Sequence, residues 1–152
     1  DAARARPILE QMCRRVMHAG PVGSGETLKL AVNLPLMIYW QALGEQLALC
    51  RPLKIDPAEL LDFLSETSGA ATVLKQRMPG IVAKLKREPT DQMTFSLDGG
   101  IKDVKAMLAE GKRRGIDLPL VQQTLACYEE AKQTMSGDDE VSNVAAYWAH
   151  RK

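Results

Sequence analysis

The chain lacks an apolar run long enough to cross a bilayer, and it lacks an excess of charge of either sign. A transmembrane helix needs about 20 predominantly apolar residues. The longest stretch here, residues 30–43 of 152, is interrupted by Asn33, Pro35 and Gln41. The charges nearly cancel, because 20 Lys and Arg oppose 19 Asp and Glu. We therefore expect no membrane span and no nucleic-acid partner, since polyanions bind to strongly basic surfaces.

Cysteine and histidine are also scarce, which limits metal and redox chemistry. The chain has three cysteines, an odd number: Cys13, Cys50 and Cys127. They are widely spaced and include no C-x-x-C pair. Such spacing indicates neither a disulfide framework nor a thiolate zinc site. His18 and His150 are far apart in the sequence and do not have metal-ligand spacing. We expect no metal site and a reducing, cytoplasmic environment.

Apolar residues at helical spacing dominate the rest of the sequence. They predict an all-α, multi-helix domain around a long central helix, residues 24–50, whose middle is apolar on nearly every side. Pro35 lies inside this helix and predicts a kink. Shorter helices are predicted over residues 57–66, 70–77, 79–86, 97–114, 117–135 and 141–149.

The first residues follow a different pattern. A short amphipathic helix is predicted over residues 3–13 and a strand over residues 14–18. A lone strand has no partner in this sequence, and the chain opens on Asp1 rather than Met, so we expect a piece of a longer protein. We divide the chain into a remnant of a preceding domain with its linker, residues 1–22, and a helical domain, residues 23–152.

The most informative stretch is G-P-V-G-S-G-E-T-L-K-L-A-V-N, residues 20–33. A Walker loop would have Lys after Gly25, where this chain has Glu26, and the glycine spacing also differs from the dinucleotide fingerprint G-x-G-x-x-G. The spacing instead puts two small residues, Ser24 and Gly25, at the amino terminus of the central helix. Free backbone N–H groups at such a terminus favour a carboxylate or phosphate.

Lys29 and Asn33 lie just beyond this terminus, and their spacing of four residues puts both on one helix face. A cation and an amide therefore converge beside the candidate anion site. We expect Leu28 and Val32 to shield the amine from water, an environment that suits a general acid/base. The alternative interpretation is a surface lysine and a core amide with satisfied hydrogen bonds.

The same stretch resembles the G-x-x-G-x-G-x-x-x-K-x-x-x-N signature of the β-hydroxyacid dehydrogenase family. This family includes 3-hydroxyisobutyrate dehydrogenase, tartronate semialdehyde reductase and, more distantly, 6-phosphogluconate dehydrogenase. Residues 94–103 resemble its F-x-x-x-x-x-x-K-D segment, and residues 115–119 resemble its G-x-x-L-P turn. The resemblance covers essentially the whole chain, as the family's helical carboxy-terminal domain preceded by the last helix and strand of its Rossmann cofactor domain.

The resemblance implies an NAD(P)-dependent oxidoreductase that exchanges hydride with a small β-hydroxyacid. NAD or NADP would be bound mainly by a Rossmann domain that this chain lacks, so the chain alone is expected to be inactive. The helical domain would form a homodimer. Lys29 would be the catalytic general acid/base, Asn33 would hold the reacting oxygen or orient the lysine, and Ser24 and Gly25 would lie near the substrate.

Three further site residues are implied only by the resemblance. Lys102 matches a lysine that contacts the cofactor, while Phe95 and Asp103 match positions that line the substrate cleft. From the residues alone, Lys102 is a solvated lysine in a charged run and Phe95 is a core anchor. A second hypothesis for the chain is a non-catalytic helical oligomerisation module of the same fold. The ordered match of three segments favours the enzyme.

Overall fold

The computed structural model describes residues 2–151, most of which belong to seven α-helices. These are α1 (Ala2–Met12), α2 (Ser24–Cys50), α3 (Pro57–Ser65), α4 (Leu74–Leu85), α5 (Leu97–Arg114), α6 (Pro119–Ala131) and α7 (Val144–His150). Short 3-10 turns, Arg51–Leu53 and Val141–Asn143, follow α2 and precede α7. None of the helices in this range has the length and apolarity that crossing a membrane requires. The all-α prediction is confirmed.

The carboxy-terminal half of α2 forms the centre of the fold, as its apolar pattern predicts. Its buried apolar side chains are Met37, Trp40, Leu43 and Leu47. The last helix, α7, packs along α2. Helices α5 and α6 also pack against α2. Gly44 allows the close approach of α7, because a Cβ at this position would lie only 2.7 Å from Trp148 Cβ. The helix continues through Pro35.

Local signals in the sequence fix the ends of α3 and α5. Asp56 Oδ1 accepts hydrogen bonds from the backbone N–H groups of Ala58 (2.9 Å) and Glu59 (3.4 Å), which begins α3. Ser96 Oγ accepts from the backbone N–H of the third residue of α5 at 3.1 Å. Gly115 ends α5 with a φ of 68°, the left-handed conformation that glycine adopts without strain. The predicted bounds of α5 are confirmed.

Several predicted helix boundaries are wrong. The break predicted between the helices over residues 70–77 and 79–86 is absent, because the single helix α4 continues through Pro79. Residues 70–73, which were predicted to be helical, form bends and turns before α4 begins at Leu74. Gln92, in the connector formed by residues 86–96, hydrogen-bonds to the backbone of Gly80 and of Gln76 on either side of this proline. The helix predicted over residues 117–135 ends at Ala131, because residues 132–134 form turns with shorter-range bonds such as Thr134 N–H to Ala131 O at 3.1 Å.

The strand predicted over residues 14–18 does not form. These residues are irregular, and no strand occurs between residues 2 and 151, where an isolated bridge between Ser96 and Glu140 is found instead. A strand needs a neighbour for its backbone hydrogen bonds, and the described residues supply none here. The helix before it, α1, has no buried residue. Residues 1 and 152, the outer ends of the two predicted domains, lie outside the described residues.

Candidate functional site

Three of the predicted site residues meet where α2 packs against α5. Lys29 Nζ forms an ion pair with Asp103 Oδ2, and Asn33 Nδ2 donates a hydrogen bond to the same oxygen at 3.2 Å. Lys29 and Asn33 project from one face of α2, as their spacing predicts, and Asp103 comes from α5, 74 and 70 residues further along the chain. One oxygen of the Asp103 carboxylate therefore binds both the Lys29 amine and the Asn33 amide.

This group is open to solvent on its α2 side. The Lys29 side chain is 54% exposed, whereas the Asp103 side chain is only 14% exposed. Leu28 and Val32, which were expected to shield the amine, are 36% and 67% exposed. The expectation of a shielded amine is wrong, because this face of α2 is at the surface. A half-exposed amine anchored to a more buried carboxylate leaves room for a small molecule beside its nitrogen.

The amino terminus of α2 lies one turn before Lys29 and is open. Gly23 precedes the helix with a φ of 93° and offers no side-chain cap, and the Ser24 N–H is bonded to Pro21 O at 3.0 Å. Among the described residues, the next two N–H groups, of Gly25 and Glu26, have no backbone acceptor. These two donors and the positive end of the helix dipole favour an anion at this end of α2.

A second polar contact, which was not predicted from the sequence, fixes α2 to α5 near this terminus. Glu110 accepts hydrogen bonds from Thr27 Oγ1 (2.8 Å), Arg113 (2.8 and 2.7 Å) and Arg114 (2.6 Å). These bonds, those from the two arginines first, hold the pKa of the Glu110 carboxyl well below its ordinary value. Arginines three and four residues after a glutamate were the available signal. Thr27 pairs with Glu110 while Asn33 pairs with Asp103, so the two helices run antiparallel.

Lys102 and Phe95 stand apart from this group. Lys102 is exposed beside Asp103 on α5, and within residues 2–151 it forms no ion pair. Phe95 precedes α5, is half-buried, and packs against the core and against Gly99, where a Cβ would lie 2.6 Å from the ring. Asp103 lies six residues after the start of α5, roughly 9 Å along the helix axis. These contacts with the core and with Gly99 therefore give Phe95 a packing role.

Comparison with known proteins matches nearly the whole chain. Residues 23–148 match a protein-family model described as NAD-binding of NADP-dependent 3-hydroxyisobutyrate dehydrogenase. A 3-hydroxyisobutyrate dehydrogenase of Pseudomonas aeruginosa is 39% identical over 82 residues, which are 53% of this chain and 28% of that protein. A 2-(hydroxymethyl)glutarate dehydrogenase of Eubacterium barkeri is 23% identical over 145 residues, 95% of this chain and 47% of that protein.

Solved structures share the fold. The crystal structure of a 3-hydroxyisobutyrate dehydrogenase from Salmonella typhimurium has a TM-score of 0.81 at 22% identity, and the match covers 96% of this chain and 50% of that chain. The 3-hydroxyisobutyrate dehydrogenase of Mycobacterium tuberculosis with L-serine has a TM-score of 0.74 at 22% identity, covering 95% of this chain and 50% of that chain. This chain thus spans half or less of the length of the proteins it matches.

Proposed function

The chain belongs to the family described as NAD-binding of NADP-dependent 3-hydroxyisobutyrate dehydrogenase, and we propose that it is the catalytic helical domain of an NAD(P)-dependent oxidoreductase. The proposed reaction exchanges hydride with a small β-hydroxyacid, with Lys29 as general acid/base. The observation that carries this proposal is the meeting of Lys29, Asn33 and Asp103 on an open surface between two helices. A lysine that served only to pair with a surface carboxylate would not need the amide of Asn33 at the same oxygen.

Lys29 Nζ is the atom proposed to hold and move the proton. In the reducing direction it gives a proton to the carbonyl oxygen that becomes the hydroxyl, and in the oxidising direction it takes the hydroxyl proton. The ion pair with Asp103 holds the amine in place on the protein side of the site. Half of the side chain is exposed, so a hydroxyl or carbonyl oxygen has access to the nitrogen.

Asn33 is proposed to hold the reacting oxygen. Its Nδ2 carries two hydrogens. One of them bonds to Asp103, which fixes the plane of the amide, and the other remains for a substrate oxygen beside Lys29. Asp103 thereby orients both donors from the α5 side of the cleft, and it is proposed to line the substrate site.

The substrate carboxylate is proposed to lie at the start of α2. The free N–H groups of the first turn, beside Ser24 and Gly25, provide donors for an anion about one helical turn from the amine. A β-hydroxyacid has its carboxylate two carbons from the carbon that bears the hydroxyl, so one small molecule can engage both points. Phe95 is proposed to line the same cleft from the start of α5.

A nicotinamide dinucleotide, when bound, supplies the carbon that accepts or gives the hydride. The described residues fit such a group, because Lys102 is an exposed ammonium that has no ion pair within residues 2–151 and is next to Asp103 in the sequence. Lys102 would hold an anionic part of the dinucleotide by charge attraction. The residues of this chain are therefore proposed to transfer the proton, to orient the substrate and to place one cation near the cofactor. They carry out no hydride chemistry of their own.

The same proposal covers the domain division, the cofactor domain, the oligomeric state and the location of the complete protein. Residues 1–22 are proposed to be the end of a preceding Rossmann cofactor domain and its linker, and residues 23–152 the helical domain. Most of the dinucleotide would be bound by that preceding domain, so residues 1–152 alone are expected to be inactive. The helical domain is proposed to pair with a second copy in a homodimer, and the enzyme is proposed to act in the cytoplasm.

The test compares two lysine variants of the complete protein, Lys29→Met and Lys105→Met. Lys105 is the matched control, because it is also on the surface, is 56% exposed and pairs with Glu129 at 2.7 Å. Oxidation of short β-hydroxyacids is assayed with NAD and with NADP. Loss of a general acid/base lowers kcat by about a hundredfold or more, so Lys29→Met should lose that much and Lys105→Met should stay within about twofold. Near wild-type turnover by a folded Lys29→Met protein would leave the oligomerisation module as the better hypothesis.

A further inference from the structure

Glu140 is a buried carboxylate that lies outside the group around Lys29. Its side chain is 2% exposed, and it lies at the end of the loop that leads into the Val141–Asn143 turn. Glu140 Oε2 accepts two backbone hydrogen bonds, from Thr94 N–H at 2.6 Å and from Phe95 N–H at 3.0 Å. A carboxylate this deeply buried needs strong compensation for its lost hydration, and it obtains it from these two donors.

Arg77 on α4 balances the negative charge. Its Nε lies 3.6 Å from Glu140 Oε1, and the Arg77 side chain is itself only 18% exposed. This distance is too long for a hydrogen bond but short enough for an ion pair. The carboxylate thus has separate partners on its two oxygens, the connector before α5 on one and α4 on the other.

Backbone bonds fasten the same junction. Phe95 O accepts from Val141 N–H at 2.9 Å, and Leu97 N–H donates to Asp139 O at 2.8 Å. Phe95 therefore has both its N–H and its C=O bonded to the segment around Glu140. Because Phe95 and the first turn of α5 are held together in this way, the position of α5 depends on that segment.

We infer that Glu140 is a positioning residue for the proposed reaction, acting through Phe95 and through the start of α5. The inference rests on the proposed function, in which Phe95, Lys102 and Asp103, all on this connector and helix, are assigned to the ligand site. Without the carboxylate, the N–H groups of Thr94 and Phe95 lose their acceptor, and the connector must shift to find other partners. A shift of this kind moves Phe95 directly and moves Asp103 relative to Lys29, and small displacements of positioning groups reduce turnover strongly.

The experiment compares Glu140→Met, Glu140→Gln and Tyr128→Phe in the complete protein. Met has nearly the shape of Glu but no acceptor, whereas Gln keeps one oxygen that can accept both N–H bonds. Tyr128→Phe is the control for general destabilisation, because it removes a fully buried hydrogen bond to Met37 O (2.7 Å) and no hydrogen bond to the connector. kcat and KM for a β-hydroxyacid are measured at a temperature at which circular dichroism shows all variants to be folded.

We expect kcat/KM to fall about tenfold or more in Glu140→Met and to stay within about threefold in Glu140→Gln and in the control. An unchanged kcat/KM in Glu140→Met, or an equal loss in the Gln variant, overturns the inference. Amide hydrogen exchange gives a readout that needs neither activity nor a variant. The N–H groups of Thr94 and Phe95 should exchange as slowly as those inside α5, and fast exchange of both overturns the inference even if no substrate is turned over.

The two proposals fail in distinguishable ways. If Lys29→Met keeps its activity while Thr94 and Phe95 are protected from exchange, the catalytic proposal is wrong and Glu140 holds the connector for another site. If Lys29→Met is inactive while Glu140→Met is as active as the wild type, the catalytic proposal stands and Glu140 has no positioning role.

Discussion

Lys29 on α2 and Asp103 on α5 are 74 residues apart in the sequence and form an ion pair in which the carboxylate is much less exposed than the amine. Asp103 is held by its helix, and Asn33 bonds to the same oxygen. The amine thus has a fixed partner on the protein side and an open side toward solvent. An arrangement of this kind suits the proposed role of Lys29 as a proton donor to a bound molecule.

Replacing Asp103 by Asn tests this relationship. The variant keeps the size of the side chain but removes the charge that holds Lys29 Nζ and orients Asn33. We expect kcat/KM for β-hydroxyacids to fall about tenfold or more, while the free energy of unfolding changes by less than about 1 kcal/mol, since ion pairs with one exposed partner contribute little stability. Both quantities are measured by steady-state kinetics and urea denaturation of the complete protein.

The matched control for Asp103→Asn is Glu129→Gln, which removes the partner of Lys105 from another exposed ion pair. It should leave kcat/KM within about twofold. A loss of activity of the same size in both variants would mean that surface charge, and not the contact to Lys29, determines the rate.

Glu110 should make stability depend on acid pH. Arg113, Arg114 and Thr27 hold the pKa of its carboxyl below the ordinary value of 4.5, so the folded state resists protonation. The stabilisation is therefore complete above that value and is lost as the pH falls from it toward the lower folded-state pKa, because the unfolded chain then takes up the proton. Glu110→Gln has no such dependence. The Tm difference between wild type and Glu110→Gln, measured by thermal melts from pH 7 to pH 3, should shrink steadily on acidification.

A Tm difference that stays constant between pH 7 and pH 3 would contradict this account of Glu110. The control is Glu129→Gln, an exposed glutamate with a single lysine partner. Its Tm difference from the wild type should be small throughout, because one solvent-exposed ion pair adds little.

The helices that carry the site could be predicted because their signals are local. Ser24 and Cys50 bound the apolar run of α2 as predicted, and the cap at Ser96 and the glycine at position 115 bound α5. The face shared by Lys29 and Asn33 follows from a spacing of four residues. Each of these signals involves residues within one or two helical turns of one another. A short stretch of sequence therefore contains the whole signal.

Contacts between distant segments could not be predicted in the same way. Nothing near Glu140 in the sequence indicates that its carboxylate binds the N–H groups of Thr94 and Phe95, 46 and 45 residues earlier. The exposure of Val32 depends on which elements cover α2, and the period of an apolar pattern does not reveal that. Asp103 was assigned to the site only by resemblance, because its distance from Lys29 is a property of helix packing.

Gln92 explains why α4 is not broken at Pro79. Proline has no N–H, and its ring disturbs the preceding turn of a helix. The Gln92 carboxamide enters this turn, since Gly80 N–H donates to Gln92 Oε1 at 2.7 Å and Gln92 Nε2 donates to Gln76 O at 2.6 Å. The side chain thus bridges the two backbone groups that a regular helix would join directly.

Gln92→Ala should therefore destabilise the fold. It leaves one backbone N–H and one C=O of α4 without partners, at a cost of about 1–3 kcal/mol. Gln46→Ala is the control, because Gln46 is exposed on α2 and should change the free energy of unfolding by less than about 0.5 kcal/mol. Urea denaturation measures both. Equal stability of the two variants would show that water replaces the carboxamide at no cost.

Two glycines of α2 should respond in opposite directions to the same substitution. A Cβ at Gly44 would lie 2.7 Å from Trp148 Cβ and 3.1 Å from Ala145 O, so α7 would have to move away. A Cβ at Gly25 meets nothing within 4 Å. Gly44→Ala should cost about 1–3 kcal/mol by overpacking, whereas Gly25→Ala should add up to about 1 kcal/mol, because alanine loses less backbone entropy in a helix. Urea denaturation curves of both variants measure the two effects against the wild type, and destabilisation by both would mean that the amino-terminal turn of α2 depends on the conformational freedom of its glycine.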